Sequence, residues 1–107
     1  MTTFDKREDA FEARFAHDEE LRFKATARRN KLLGLWAAGK MGLDEVAAVE
    51  YAKEVVRSDF EEPGEEDVYR KIVADFSEYK VDQSEHQIRR TMSELMAVAI
   101  EQLKGEA

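Results

Sequence analysis

Two pairs of adjacent arginines are the groups of this sequence best suited to hold a ligand. Arg28 and Arg29 lie within residues 22–31, a run with five basic and no acidic side chains. Arg89 and Arg90 form the second pair. Guanidinium groups bind carboxylates and phosphates through paired hydrogen bonds, so these four arginines are candidates for an anion or nucleotide site. The alternative is a solvated face that acidic residues of neighbouring helices neutralise.

The sequence lacks the motifs of the common catalytic and metal sites. It has no cysteine, which excludes disulfides, thiolate metal sites and cysteine nucleophiles. None of its five glycines forms a phosphate-binding loop, a dinucleotide fingerprint or a nucleophile elbow. His17 and His86 are isolated and lack the Glu-x-x-His spacing of di-iron bundles. We therefore expect no metal, no cofactor and no enzymatic activity.

An aromatic stripe distinguishes the N-terminal segment, residues 1–17. Phe4, Phe11 and Phe15 are spaced by seven and four residues, so a helix would place all three rings on one face. A single helix of this length is marginal in water, so we expect the segment to be flexible in the free protein. It would then become helical in an apolar groove of a partner. The charged residues between the rings would set register at the rim of that groove: Asp5, Lys6, Arg7, Glu8, Asp9, Glu12 and Arg14.

The alternative for this segment is that its three rings dock on the rest of the protein as one more packing element. Periodicity alone does not separate the two interpretations, because both require the same apolar face.

The elements that must position these groups are helices. Gly42, Pro63 and residues 80–84 divide the chain after the N-terminal segment into four stretches, each with apolar residues three and four positions apart. No stretch alternates with period two, which argues against strands. The connections are short, which favours antiparallel neighbours. We predict an all-α fold, a compact antiparallel four-helix bundle of residues 18–107 with residues 1–17 as a mobile arm.

Local signals indicate where these helices begin and end. Asp18 is suited to cap the first helix, and Gly42 is suited to stop it. Asp44 opens the second helix, and Ser84 with Gln87 three residues later forms a capping-box pattern for the fourth. The predicted buried stripes are Leu21, Ala25, Leu32, Leu35, Trp36 and Gly39; Val46, Val49, Ala52, Val55, Val56 and Phe60; Val68, Ile72, Val73, Phe76 and Tyr79; and Ile88, Met92, Leu95, Met96, Ala99 and Leu103.

An acidic block surrounds the turn between the second and third helices. Carboxylates stabilise the N-terminus of a helix and destabilise its C-terminus, so only the last three acids of the block are well placed. A functional surface and a contribution to solubility both explain the other three. The block consists of Asp59, Glu61, Glu62, Glu65, Glu66 and Asp67.

The net charge of -7 argues against binding to nucleic acid or to anionic membranes. No apolar run approaches the roughly 18 to 20 residues of a membrane span, and the N-terminus lacks the pattern of a signal peptide. We expect a soluble cytoplasmic protein that is a monomer when free.

Three stretches, residues 1–12, 27–38 and 86–92, resemble the zeta-subunit family of alphaproteobacterial F-type ATP synthases. The resemblance spans almost the whole chain. It implies a four-helix bundle with a mobile N-terminal arm that inhibits ATP hydrolysis by the catalytic head, at the cytoplasmic face of the membrane. It further implies that the arm enters the cleft between an alpha and a beta subunit and contacts the rotor shaft.

Carried over by position, the inhibitory arm corresponds to residues 2–17. Its anchors are Phe4, Phe11 and Phe15, and its rim contacts are Lys6, Arg7, Glu8 and Arg14. The alternative is a non-catalytic regulatory bundle that binds an anion, with ATP and ADP as the candidate ligands.

Overall fold

The computed structural model describes residues 19–59 and 65–106, which form four α-helices without any strand. The helices are α1 (Glu19–Lys40), α2 (Glu45–Ser58), α3 (Glu66–Glu78) and α4 (Glu85–Glu106). The predicted all-α fold of four helices is therefore confirmed. Several predicted features lie outside the described residues: the arm, His17, the cap at Asp18, Phe60, Glu61, Glu62 and the break at Pro63.

The end of α1 and the start of α2 follow the local signals. Gly42 has a φ of +76°, a left-handed conformation that suits glycine and ends a helix. Leu43 donates its amide hydrogen to the carbonyl of Ala38 over 3.0 Å, which closes the turn. Asp44 then caps α2, because its side chain accepts from the amide of Ala47 over 2.8 Å.

The predicted capping box opens α4. The amide of Ser84 donates to Gln87 Oε1 over 2.9 Å, and the amide of Gln87 donates to Ser84 Oγ over 3.1 Å. Each side chain thus satisfies an amide that has no partner within the helix.

α1 is the central helix, because it packs against each of the other three. α1 and α2 run antiparallel, as the short connection predicted, because Ala38 contacts Leu43 near the turn and Asn30 contacts Asp59 at the far end. The first half of α1 meets the last turn of α4, where Arg28 lies 2.8 Å from Glu106. The middle of α1 approaches α2 so closely that a Cβ added at Gly34 would lie 2.6 Å from the Cα of Ala52. A larger side chain than glycine at this position would force the two helices apart.

The buried face of α1 differs from the predicted stripe. Ala25 is buried as predicted, but Gly39 is exposed, and Leu21, Leu32, Leu35 and Trp36 are only partly buried. The buried face is broader than the predicted stripe and is centred on a different side of the helix. Three neighbouring helices cover α1, and its small residues allow them to pack closely. The buried face consists of Ala25, Arg29, Asn30, Leu33, Gly34, Ala37 and Ala38.

The predicted stripe of α2 was wrong at its first half. Ala52 and Val55 are buried as predicted, but Val46 and Val49 are 77% and 49% exposed. Tyr51, which the stripe left out, is buried instead. The short α2 faces both α1 and α3, so its buried residues lie between the two, whereas the valine periodicity favoured a single face.

The stripes of α3 and α4 are largely confirmed. Val68, Ile72 and Phe76 of α3 are buried, whereas Val73 and Tyr79 at the edge of the stripe are exposed. In α4 the buried residues are Ile88, Met92 and Ala99, and the partly buried ones are Leu95, Met96 and Leu103.

Candidate functional site

The predicted partner-binding residues all precede α1 and lie outside the described residues: Phe4, Asp5, Lys6, Arg7, Glu8, Phe11, Arg14 and Phe15. They stay predictions. The structure describes the part of the bundle that would carry the arm, since α1 begins at Glu19, directly after the segment.

Arg28 ties the first half of α1 to the end of α4. Its Nη1 donates to Gln102 Oε1 over 2.8 Å, and its Nη2 donates to the two carboxylate oxygens of Glu106 over 2.8 and 3.1 Å. Charged hydrogen bonds of this kind have a defined geometry. The contact therefore joins the helix that follows the predicted arm to the last turn of α4.

Arg29 is buried although it carries a charge. Its side chain is 4% exposed, its Nε donates to Asn30 Oδ1 over 2.7 Å, and its Nη1 lies 3.5 Å from Glu65 Oε2. Burial lowers the pKa of the Arg29 guanidinium, while the negative charges of Glu65 and Asp59 raise it. Two acids thus compensate the loss of solvation, and the guanidinium remains charged.

The carboxyl groups at the turn between α2 and α3 are crowded. Burial raises the pKa of Asp59, and the charge of Asp67 raises it too, while a hydrogen bond from Asn30 and the charge of Arg29 act in the opposite direction. Asp67 Oδ2 is buried without a hydrogen-bond partner. Asp59 and Glu65 of the acidic block therefore lie near a buried arginine and are not only part of a solvated surface.

Arg89 connects α3 and α4. Its Nε lies 2.9 Å from Glu85, its Nη1 lies 3.0 Å from Glu66, and its guanidinium stacks 3.9 Å from the ring centroid of Tyr69. The hydrogen bonds to Glu66 and Glu85 raise the pKa of Arg89, and the same contact with Arg89 lowers the pKa of Glu66. Arg89 Nη1 also lies 3.8 Å from Glu65, the residue that pairs with Arg29.

The four candidate anion-binding arginines do not share one location. Arg29 and Arg89 meet at Glu65, Arg28 lies at the end of α4, and Arg90 pairs with Glu94 on the surface at 2.8 Å. Each guanidinium already contacts an acid of the same chain. Arg28 pairs with an acid of a neighbouring helix, as a neutralised solvated face requires, whereas Arg29 is paired but buried. Anion binding stays a prediction.

Sequence reasoning missed the buried polar residues of this region. Asn30 bridges the buried Arg29 and Asp59, yet it appeared in the sequence only as an uncharged polar residue of a basic stretch. Asp67 was placed correctly in the first turn of α3, but its buried oxygen was not foreseen. No local pattern identifies such residues, because their partners come from other helices.

The described part of the chain offers no site for a metal ion formed by three or more histidine, cysteine or carboxylate groups. None of its helices combines the length and the apolar character that crossing a membrane requires.

A protein-family model described as ATPase inhibitor subunit zeta matches residues 1–102. The chain belongs to the ATPase inhibitor subunit zeta family. The match includes the predicted arm as well as the bundle, so the resemblance seen in three short stretches is confirmed over nearly the whole chain. Membership of the ATPase inhibitor subunit zeta family supports a regulatory role on an ATPase without catalysis by the chain itself.

The fold is also similar to that of a protein whose solution NMR structure has been solved. The two chains are 47% identical with a TM-score of 0.73, and the match covers 81% of this chain and 99% of that chain. No curated protein matches the chain.

Proposed function

We propose that this chain inhibits ATP hydrolysis by the catalytic head of the F-type ATP synthase, with residues 2–17 as the inhibitory segment. The observation that carries the proposal is the family match, which extends from residue 1 to residue 102 and so includes this segment.

The chemistry of the segment suits a helix that forms in a cleft. Phe4, Phe11 and Phe15 would anchor it between an alpha and a beta subunit, and its first residues would reach the rotor shaft. Burying each ring contributes roughly 1.5 to 3 kcal/mol, which offsets part of the cost of ordering the segment. Lys6, Arg7, Glu8 and Arg14 would pair with charges at the rim and set the register.

The bundle would hold the segment in place and limit how far it enters. The described part of the chain measures 48 × 27 × 26 Å, whereas a single helix with its side chains is about 10–12 Å wide. A cleft that admits one helix therefore excludes the bundle. Because Arg28 ties α1 to α4 through Glu106, the start of α1 is a firm base for the segment.

The proposed location follows from the proposed target. The chain would act at the cytoplasmic face of the membrane-bound synthase, as a monomer before it binds.

The decisive experiment is an ATPase assay of the purified cognate catalytic head with and without the full chain. Inhibition that saturates as the concentration of the full chain increases supports the proposal. Deletion of residues 1–17 is expected to abolish inhibition while circular dichroism still shows a folded helical protein. An unchanged ATPase rate at saturating full-length chain contradicts the proposal.

A further inference from the structure

An open groove runs along α1, with α2 beside it and the last turns of α4 beside its first half. Two adjoining hollows of about 770 and 670 Å³ form it, and both are lined by Lys31 and Val56. On α1 the groove extends from Leu21 to Leu35, a distance of about 21 Å at 1.5 Å per residue. We refer to it as the seam groove.

The floor of the seam groove is apolar because small residues occupy the contact between the helices. Ala52 lines the floor, and Gly34 brings the backbone of α1 against it. Larger apolar side chains stand beside this floor, including Phe23 and Val49, which are 60% and 49% exposed. Exposed apolar area of this kind, next to a concave floor, is typical of a surface that binds another helix.

The rim of the seam groove is mostly basic, in contrast to the net charge of -7 for the whole chain, although Glu106 of α4 also lines it. α1 contributes Lys24, Arg28 and Lys31, and α2 contributes Lys53 and Arg57. Three of the five form ion pairs with acids among the described residues. Lys24 pairs with Glu20, Arg28 with Glu106 and Lys53 with Glu50. Among the described residues, the exposed Lys31 and Arg57 form no ion pair.

We propose that the seam groove docks an acidic amphipathic helix exposed on a stationary subunit of the catalytic head. Charge complementarity carries the choice of partner, because the exposed cations Lys31 and Arg57 on this rim attract an acidic face while the apolar floor accepts its buried stripe. The length of the groove fits about 14 residues of helix. The subunit is stationary because an inhibitor that blocks rotation must be held against the part that does not turn. This inference rests on the proposed function.

An anionic membrane surface is a poorer match for the seam groove. The net charge of -7 repels such a surface, and a concave floor between two helices cannot lie flat on lipid.

The test compares two pairs of charge reversals in the full chain with the same net charge. Lys31→Glu with Arg57→Glu reverses the two rim charges that form no ion pair with the described residues. The control, Lys40→Glu with Lys80→Glu, changes exposed lysines outside the groove. Affinity for the purified head is measured at low and at high salt. The rim variant is expected to bind about tenfold more weakly at low salt and to lose most of its salt dependence, whereas the control stays within about twofold of wild type.

A second comparison tests the apolar floor. Val49→Asp places a charge in the seam groove, and Val46→Asp places one on the same helix outside it. Only Val49→Asp is expected to weaken binding to the head, by about fivefold or more. Both positions are exposed, so both variants are expected to fold, which circular dichroism checks.

Equal affinity of the rim variant and its control overturns this inference alone, provided that wild type still inhibits the head. Failure of wild type to bind and inhibit the head overturns the proposed function and this inference together.

Other occupants of the seam groove would give different results, and each of these results also overturns the inference. Tighter binding by the rim variant would indicate the chain's own N-terminal segment in the groove. A changed oligomeric state of the free protein would indicate a second copy, and lost binding to phosphatidylglycerol vesicles would indicate a membrane.

Discussion

Tyr51 donates its hydroxyl hydrogen to Asp75 Oδ2 over 2.6 Å and so joins α2 to α3. Lys71 completes the contact, because its Nζ lies 3.1 Å from the same oxygen and 5.0 Å from the centroid of the Tyr51 ring. This polar contact lies at the edge of the apolar core, to which Tyr51 belongs.

The Tyr51 contact predicts a loss of stability at alkaline pH. Burial, followed by the hydrogen bond to Asp75, raises the pKa of Tyr51 above its ordinary value of 10.0. Above pH 10 the unfolded chain therefore releases this proton while the folded chain keeps it, so stability decreases as pH rises. In Tyr51→Phe this component of the decrease is expected to be absent.

Urea unfolding at pH 8 and at pH 11 measures this effect. At pH 8, Tyr51→Phe is expected to lose about 1 to 2 kcal/mol, because Asp75 loses a hydrogen bond. If the free energy of unfolding decreases equally from pH 8 to pH 11 in wild type and variant, Tyr51 does not titrate as inferred.

Two glycines of α1 predict opposite effects of the same substitution. Gly34→Ala is expected to destabilise the fold by about 1 to 3 kcal/mol, because its Cβ would lie 2.6 Å from the Cα of Ala52. Gly39→Ala is expected to stabilise it by about 0.5 to 1 kcal/mol, since nothing lies within 4 Å and alanine favours the helix. Thermal and urea unfolding measure both, and a stabilising Gly34→Ala would contradict the close helix contact.

Inhibition and stability are expected to depend on different apolar residues. Phe4→Ala or Phe11→Ala should each weaken inhibition by about 1 kcal/mol or more at an unchanged melting temperature, because each removes an anchor. Leu33→Ala, at a fully buried position, should cost about 2 to 5 kcal/mol of stability. It should still inhibit well below its melting temperature.

An ATPase titration and a melting curve of each variant test this separation, with Val46→Ala as an exposed control. A large loss of stability in Phe11→Ala with inhibition retained would favour an N-terminal segment that packs on the bundle as a structural element.

Because Arg29 is buried next to carboxylates, its replacement is expected to reduce folding stability by an amount that depends on pH. Arg29→Met leaves the partly buried Asp59 without its cation and leaves Glu65 to the more distant Arg89, and it is expected to cost about 3 kcal/mol at pH 7.5. Arg29 lowers the pKa of Asp59, so its loss raises that pKa further. The folded variant then binds a proton more readily than the unfolded one, and the cost should be smaller at pH 5.

The matched control is Arg90→Met, which removes an exposed ion pair with Glu94 and should change stability by less than about 0.5 kcal/mol. Urea unfolding of both variants at the two pH values gives the comparison. A cost of Arg29→Met that does not change with pH would contradict the coupling to Asp59.

The number of helices and several of their ends were predictable because they depend on short-range chemistry. Ser84 and Gln87 cap each other three residues apart, and Gly42 adopts its positive φ within a single turn. The family, too, was recognisable from sequence, because it depends on which residues occur in which order. The role of the N-terminal segment rests on the same sequence information.

The buried faces were decided by the tertiary structure. Periodicity shows that a helix has an apolar stripe, but it does not show how many neighbours cover it. α1 is covered by three helices, so small residues and Arg29 are buried there while Gly39 is not. Val49 is exposed and Tyr51 is buried because α2 lies between α1 and α3. The basic rim of the seam groove likewise combines Lys31 and Arg57 from two helices, and only the packing of those helices brings the two charges to one surface.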